Sequence, residues 1–78
     1  MSDYLRVALE IVAFVGHVES SQLETGTHLV ADLAFDSLSF FEIYQLCEEV
    51  TGRELPDELL MQIETIGDLS RLLGGAST

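Results

Sequence analysis

The sequence has no lysine and no tryptophan, and its 78 residues include one cysteine, one proline and three arginines. A single cysteine excludes an internal disulfide bond and fits a reducing compartment, so we expect a cytoplasmic protein. Positive charge is scarce, because fourteen acidic side chains leave a net charge of −11. Such a chain is repelled by nucleic acid and by anionic membranes, and it is attracted to partners with basic patches.

Several familiar functional patterns are also missing. No apolar run is long enough to span a membrane, and no basic segment with a small-residue cleavage site marks a signal peptide. The chain lacks a nucleophile elbow, a glycine-rich phosphate loop and the calcium-binding spacing of an EF-hand. His17 and His28 have no ligand cluster around them at metal spacing, so we interpret both as surface histidines. We therefore predict neither an enzyme nor a metal site.

Hydrophobic residues make up 47% of the chain, which is enough for one core in a chain of this length. We expect residues 1–78 to form a single domain with a frayed tail from about residue 74.

The most informative stretch runs from Asp36 to Gly52. Asp36 is a favourable N-cap, Gly52 is a favourable C-terminal stop, and neither proline nor glycine lies between them. The helix should therefore begin at Ser37, where unpaired N–H groups and the helix dipole favour a phosphate. No base accompanies this serine, so its hydroxyl is a better attachment point than an enzymatic nucleophile.

The two faces of this helix differ. At about 100° per residue, one broad arc is apolar and should face the core; it comprises Phe40, Ile43, Tyr44, Leu46, Cys47 and Val50. The other side carries Leu38 and Phe41 among Glu42, Gln45, Glu48 and Glu49. Large apolar residues surrounded by carboxylates are typical of a docking surface, although single exposed apolar residues are common in any protein. Cys47, on the apolar arc, should be buried and unreactive.

The segments before this helix predict one more helix and a long loop. A first helix should span about Tyr4 to Val15, capped by Asp3, with Arg6 and Glu10 marking a narrow solvent stripe. Because the rest of its surface is apolar, we expect it to be deeply buried; the alternative is that its excess apolar face meets another protein. The connection from Gly16 to Phe35 is unusually long for a compact domain. We expect it to be anchored on the core by Leu29, Val30 and Leu33.

The segments after Gly52 predict two further helices. A short third helix should start at Pro56, and its core residues should be Leu59, Leu60, Met61 and Ile63. The sequence from Thr65 to Asp68 resembles a capping box, with aspartate in place of the usual glutamate or glutamine. It should start a last helix that ends at Gly74 and buries Leu69, Leu72 and Leu73. Four helical segments without a strand pattern predict an all-α bundle.

These residues together resemble an acyl carrier protein. The similar motifs are Asp36-Ser37-Leu38, preceded by Asp32-Leu33 and followed by Glu42, Glu48-Glu49, Gly52 and Leu55-Pro56-Asp57. The similarity extends from about Leu29 to Leu73. The chain departs from the family at two places: Ala34-Phe35 replaces the frequent Gly-Ala or Gly-Gly, and Thr51 replaces a common aromatic residue. The first departure bears on loop shape and on the choice of partner.

The resemblance implies an acyl-carrier-like four-helix bundle with three longer helices, a short third helix and a long first loop. It implies a monomeric, non-enzymatic carrier whose Ser37 bears 4′-phosphopantetheine, transferred from coenzyme A by a phosphopantetheinyl transferase. The arm would hold acyl groups as thioesters and deliver them to an acyltransferase, a ketosynthase or an acyl-loading ligase with a basic docking patch. Partner-binding residues would be Asp36, Leu38, Phe41, Glu42, Glu48 and Glu49. Cargo would lie against Phe40, Ile43, Tyr44 and Cys47.

The sequence also bears on the pathway. Ser39-Phe40-Phe41 and the apolar first helix resemble a discrete carrier of polyketide or other specialised biosynthesis. Carriers of fatty-acid synthesis have a more polar first helix and a glycine before the Asp-Ser pair. The alternatives are a general type II fatty-acid synthase carrier, then an aminoacyl or peptidyl carrier. An acidic helical interaction module whose Ser37 is never modified is a further alternative.

Overall fold

The computed structural model describes residues 3–55, 58 and 62–74. In this part of the chain the α-helices are α1 (Asp3–Gly16), α2 (Ser37–Thr51) and α3 (Ile66–Leu73), and a 3₁₀ helix spans Ser20–Gln22. The β structure among these residues is an isolated bridge between His28 and Thr65. The expected all-α, acyl-carrier-like fold is confirmed.

Side chains from α1, α2 and α3 and from the connections form one core. α1 packs mainly against α3 and less extensively against α2. The buried residues are Ala8, Ile11, Val12 and Val15 from α1, Ile43 and Cys47 from α2, Ile66, Leu69, Leu72 and Leu73 from α3, and Leu23, Leu29, Phe35, Leu55 and Ile63 from the connections. The helix that begins with Ser37 is therefore anchored by its apolar side in a packed interior.

The prediction that α1 is deeply buried apart from a narrow solvent stripe was wrong for part of its apolar surface. Phe14 is 69% exposed, because it lies on the side of α1 that its neighbours do not cover. Tyr4 is half exposed in the first turn, although it shares the side of the buried residues. Asp3 lies inside the first turn and not before it as a cap, where a carboxylate still interacts favourably with the helix dipole. Composition shows that a helix is apolar, but it does not show how much of the helix surface other elements cover.

The C-terminus of α1 is closed by a residue in the left-handed conformation. His17 has a φ of 55°. Its N–H donates to Phe14 O at 3.4 Å, and the N–H of Val18 donates to Ala13 O at 3.1 Å. This pair of bonds is the Schellman arrangement, which satisfies carbonyl groups that the helix itself leaves unpaired.

The long connection is anchored on the core by a different set of residues from the predicted one. Leu29 is fully buried and Leu33 is half-buried, as expected, whereas Val30 is exposed and that prediction was wrong. Leu29 and Val30 are neighbours in a tight turn, so only one of them faces the interior. Leu23 and Phe35, which we did not predict as anchors, are both buried.

Backbone hydrogen bonds tie this connection to the start of α3. Leu29 N donates to Glu64 O at 2.8 Å, Ile66 N to Thr27 O at 3.1 Å, and Gly67 N to Thr25 O at 2.8 Å. A Cβ atom on Gly67 would lie 2.7 Å from Thr25 Cγ2 and 3.3 Å from Thr25 O, so any larger residue would displace Thr25. The connection is therefore held in place, and the residues leading into α2 start from a fixed position.

The capping box of α3 is confirmed. Asp68 N donates to Thr65 Oγ1 at 3.2 Å, and Thr65 N donates to Asp68 Oδ2 at 3.1 Å. Asp68 also pairs with Arg71, and α3 ends before Gly74 as predicted. Of the predicted third helix, the structure describes Glu58, which is helical, and Ile63, which is buried. The predictions for Pro56, Leu59, Leu60, Met61 and the tail from residue 75 lie outside the described residues.

Candidate functional site

α2 has the predicted ends. It runs from Ser37 to Thr51, with Asp36 as its N-cap. Gly52 follows in the left-handed conformation, with a φ of 68°, and its N–H donates to Glu48 O at 2.8 Å. Both ends were predictable because capping depends on residues only a few positions apart.

Asp36 and Ser39 form a reciprocal capping box. Ser39 N donates to Asp36 Oδ1 at 3.0 Å, the Ser39 hydroxyl donates to the same oxygen at 3.1 Å, and Asp36 N donates to Ser39 Oγ at 3.4 Å. The backbone N–H and then the hydroxyl of Ser39 lower the pKa of Asp36 below its ordinary value. The exposed carboxylate therefore stays ionised beside Ser37. We did not predict the role of Ser39, although its position three residues after an N-cap was a usable signal.

Ser37 presents an accessible hydroxyl at the first position of α2. Its side chain is exposed, and within the described residues its hydroxyl makes no hydrogen bond. Two other serine hydroxyls are engaged: that of Ser39 with Asp36, and that of Ser70 with the carbonyl of Gly67 at 2.8 Å. A free hydroxyl next to the unpaired N–H groups of a helix start fits a phosphodiester attached there.

The turn that leads into α2 contains a strained residue. Ala34 has a φ of 58°, in the left-handed region that glycine adopts far more easily than alanine. Its N–H donates to Val30 O at 2.9 Å, and Phe35 N donates to Leu29 O at 3.1 Å. Ala34 stands where the resembled family often has glycine, so the chain keeps a glycine-like turn without the glycine.

Phe35 is the anchor that follows this turn. Its side chain is buried. A Cβ atom on Gly16 would lie 3.1 Å from Phe35 Cε1 and 3.2 Å from Cζ, so the ring lies directly against the end of α1. The absence of a side chain at Gly16 leaves room for a phenyl ring where the resembled family often has alanine or glycine. Turn and ring together set the direction in which the chain enters α2.

The two faces of α2 are largely those predicted. Ile43 and Cys47 are fully buried, and Phe40, Tyr44 and Leu46 are half-buried against the core. Val50 is 55% exposed, so its assignment to the core was wrong. It lies well inside the apolar arc but in the last turn of the helix, where periodicity alone does not show whether a neighbour covers the side chain. Predicted cargo residues Phe40, Ile43, Tyr44 and Cys47 thus all lie on the core side.

The outer face of α2 presents apolar and acidic side chains together. Leu38 is 65% exposed and Phe41 is 57% exposed. Glu42 and Glu49 are exposed on the same helix, whereas Glu48 is half-buried. We refer to the predicted partner-binding residues on this helix as the outer face, comprising Leu38, Phe41, Glu42, Glu48 and Glu49.

Cys47 is buried and unsuited to chemistry. Burial raises the pKa of its thiol to about 11, so the sulfur stays protonated at neutral pH and a thiolate is not available. This confirms the interpretation of Cys47 as a small core residue.

Thr51 closes α2 in place of the aromatic residue common in the resembled family. Its hydroxyl donates to Cys47 O at 2.8 Å and accepts from Arg53 N at 3.2 Å. Arg53 in turn donates through Nη2 to Leu73 O at 3.2 Å, at the end of α3. The end of α2 is therefore connected to α3 by polar contacts.

The two histidines differ in their surroundings. His17 is exposed, as predicted, whereas His28 is half-buried and stabilises the long connection. Its Nδ1 accepts from Ala31 N at 3.1 Å, and its Nε2 lies 3.5 Å from a carboxylate oxygen of Glu64. Among the described residues, no group of three or more histidine, cysteine or acidic side chains is placed to bind a metal.

Comparison with protein families accounts for this arrangement. A family model described as a phosphopantetheine attachment site matches residues 6–73, which include most of α1 and all of α2 and α3. The chain belongs to this family. The resemblance stated from the sequence is thereby confirmed, and the cofactor of the family is 4′-phosphopantetheine.

Membership gives the protein a general role. It is a phosphopantetheine-carrying protein, and carrier domains of this kind are generally not catalytic. They interact with modifying and biosynthetic enzymes, such as phosphopantetheinyl transferases. In the described part of this carrier, none of the helices has the length and apolar content needed to cross a bilayer.

Proposed function

We propose that Ser37 is the attachment residue and that the carrier holds acyl intermediates of polyketide or other specialised biosynthesis. The observation that carries the attachment site is the exposed, unengaged hydroxyl of Ser37 at the start of α2, beside the ionised Asp36. When bound, the arm supplies a terminal thiol that holds the acyl group as a thioester. Tethering replaces free diffusion of the intermediate by a high effective concentration at the enzyme that binds the carrier.

Attachment at Ser37 is a phosphoryl-group transfer. The oxygen of Ser37 forms a bond to the phosphorus that carries pantetheine in coenzyme A. The phosphorus–oxygen bond to the other phosphate of the pyrophosphate breaks, and 3′,5′-adenosine bisphosphate leaves. The proton of Ser37 passes to a base of the transferase, because the described part of the carrier places no base on this hydroxyl. The carrier's own contribution is to present the hydroxyl in a fixed position.

The outer face of α2 is the surface that we propose for partner enzymes. Leu38 and Phe41 offer apolar contacts, and Glu42 and Glu49 offer negative charge to a basic patch. A small interface of this kind suits rapid and reversible binding, which a carrier needs in order to move between enzymes. The partners we propose are a phosphopantetheinyl transferase and then an acyltransferase, a ketosynthase or an acyl-loading ligase.

The attachment site is tested by intact mass measurement. Incubation with coenzyme A, Mg²⁺ and a broad-specificity phosphopantetheinyl transferase should add one phosphopantetheine to the wild-type chain and none to Ser37→Ala. Ser21→Ala is the matched control, since Ser21 is also an exposed serine in a short helical segment; it should gain the same mass as the wild type. Circular dichroism verifies that all variants are folded. An adduct on Ser37→Ala would refute the site, and an unmodified wild type with several transferases would favour the interaction module.

The pathway is tested by the cargo found on the protein. The carrier purified from its own cells should bear acyl groups with keto or other oxygen substituents, identified by mass after thioester cleavage. Saturated unbranched acyl chains would support the fatty-acid alternative, and aminoacyl groups the peptidyl alternative.

A further inference from the structure

Ser39 makes more contacts with Asp36 than a helix cap requires. A cap needs one hydrogen bond from the backbone N–H of the third helical residue to the capping side chain. Here the Ser39 hydroxyl adds two more interactions: it donates to Asp36 Oδ1 at 3.1 Å and accepts from Asp36 N at 3.4 Å. Both the backbone and the carboxylate of Asp36 are thus held by one side chain.

The hydrogen bonds between Asp36 and Ser39 join the residues on either side of Ser37. Ser37 follows Asp36 directly and precedes Ser39 by two residues, so the contacts between Asp36 and Ser39 span the residue that carries the reacting hydroxyl. Asp36 is extended, with φ of −118° and ψ of −172°, while Ser37 is already helical. The contacts therefore fix the point at which the backbone changes from extended to helical, and with it the direction of the Ser37 side chain.

We infer that Ser39 is a positioning residue for the attachment reaction, holding Asp36 and the first turn of α2 so that Ser37 is presented to the transferase in one orientation. This inference rests on the proposed attachment at Ser37. Ser39 touches no substrate in this scheme and acts through Asp36. Without the Ser39 hydroxyl, the first turn of α2 samples other conformations, and a smaller fraction of carrier molecules presents Ser37 in the orientation needed for transfer. The apparent affinity of the carrier for the transferase falls with that fraction.

The test is steady-state kinetics of modification with coenzyme A and a purified phosphopantetheinyl transferase. Ser39→Ala should reduce kcat/KM by about three- to tenfold, a range that follows from the usual effect of losing one capping interaction. The loss should lie mainly in a higher KM for the carrier, because binding to the transferase reorders the turn before the reaction. Ser39→Thr, which retains the hydroxyl, should recover most of the activity.

A spectroscopic measurement separates positioning from simple loss of stability. In a carbon-13 NMR titration of the Asp36 carboxyl, Ser39→Ala should raise its pKa towards the ordinary value, because the hydroxyl donor to Oδ1 is gone. Ser39→Thr should leave the titration close to that of the wild type. An unchanged titration in Ser39→Ala would show that the hydroxyl does not hold the carboxylate, and the inference would fail.

The second capping box of the chain provides a matched control. Thr65→Ala removes the hydroxyl of the α3 capping box, which belongs to the N-cap residue, where Thr65 Oγ1 accepts from Asp68 N at 3.2 Å. It should lower the melting temperature to a similar degree as Ser39→Ala while leaving kcat/KM for modification unchanged. If both variants lose modification equally, or if Ser39→Ala loses none while the wild type is modified, Ser39 has no positioning role. An unmodified wild type would instead contradict the proposed attachment at Ser37.

Discussion

At the scale of single residues, the approach to Ser37 depends on a conformation that alanine adopts at a cost. The left-handed region costs an L-residue about 1–2 kcal/mol relative to glycine, and Ala34 lies there with a φ of 58°. The bond from Ala34 N to Val30 O and the buried Phe35 ring hold this conformation against its strain. Strained backbone next to a functional residue is often part of how that residue is presented.

Replacing Ala34 by glycine should therefore stabilise the protein. The strain energy that is relieved exceeds the free-energy cost of glycine, which is about 0.5–1 kcal/mol and arises because glycine makes the unfolded chain more flexible. We expect a net gain on the order of 0.5–1 kcal/mol, and a melting temperature a few degrees higher. Urea denaturation followed by circular dichroism measures the free energy of unfolding.

Ala31→Gly is the matched control for this substitution. Ala31 is an exposed alanine three residues earlier in the same turn, and its φ is not positive. Ala31→Gly should lower the free energy of unfolding by about 0.5–1 kcal/mol, because no strain is relieved and only the entropic cost of glycine remains. Two substitutions of the same kind should thus have opposite signs; a loss of stability in both would show that Ala34 is not strained.

Some residue-scale features were predictable and others were not. The positions of Asp36, Ser37 and Gly52 follow from capping rules that act over a few residues. The left-handed turn at Ala34 had no local signal, because alanine gives no indication of positive φ. The burial of Phe35 depends on Gly16, which is nineteen positions away in the chain, and such a pairing is not contained in any local pattern.

At the scale of secondary structure, periodicity identified the faces of α2 more reliably than their extent. Ile43 and Cys47 lie at the centre of the predicted arc and are fully buried, whereas Val50 lies on the same arc in the last turn of the helix and is exposed. Phe14 illustrates the same limit for α1, where apolar residues surround most of the helix but the neighbours cover one side. The sequence indicates which side of a helix faces the core, and tertiary packing decides how many residues on that side are covered.

Two residues on opposite faces of α2 allow a direct test of this assignment. Ile43→Ala should destabilise the protein by roughly 2–5 kcal/mol, because it opens a cavity among fully buried side chains. Phe41→Ala should change the free energy of unfolding by no more than about 0.5 kcal/mol, as is usual for surface positions, while weakening binding to the transferase. Denaturation and surface plasmon resonance measure the two effects. Substantial unfolding by Phe41→Ala would mean that its ring packs against the protein and is not part of a docking surface.

At the scale of the whole molecule, negative charge far exceeds positive charge, and two of the three arginines are engaged in contacts within the protein. Fourteen carboxylates face three arginines. Arg53 donates to Leu73 O, and Arg71 pairs with Asp68. The resulting negative field attracts basic partners from a distance, but salt screens it beyond about 8 Å at physiological ionic strength. The net charge can be calculated from the composition, whereas the part of the surface on which carboxylates meet a partner depends on how the helices are placed.

Two charge reversals should distinguish the field of the whole molecule from that of the outer face of α2. Glu42→Lys and Glu10→Lys change the net charge equally, and both glutamates are exposed, but Glu10 lies on α1. Because both reduce self-repulsion, stability should change by no more than about 0.5 kcal/mol in either variant. Stopped-flow measurements should show a lower association rate constant with the transferase for Glu42→Lys than for Glu10→Lys at low salt. The difference should shrink as salt is added, because screening removes the steering contribution first. Equal rate constants in the two variants would mean that overall charge alone attracts the partner, and that Glu42 has no local role in docking.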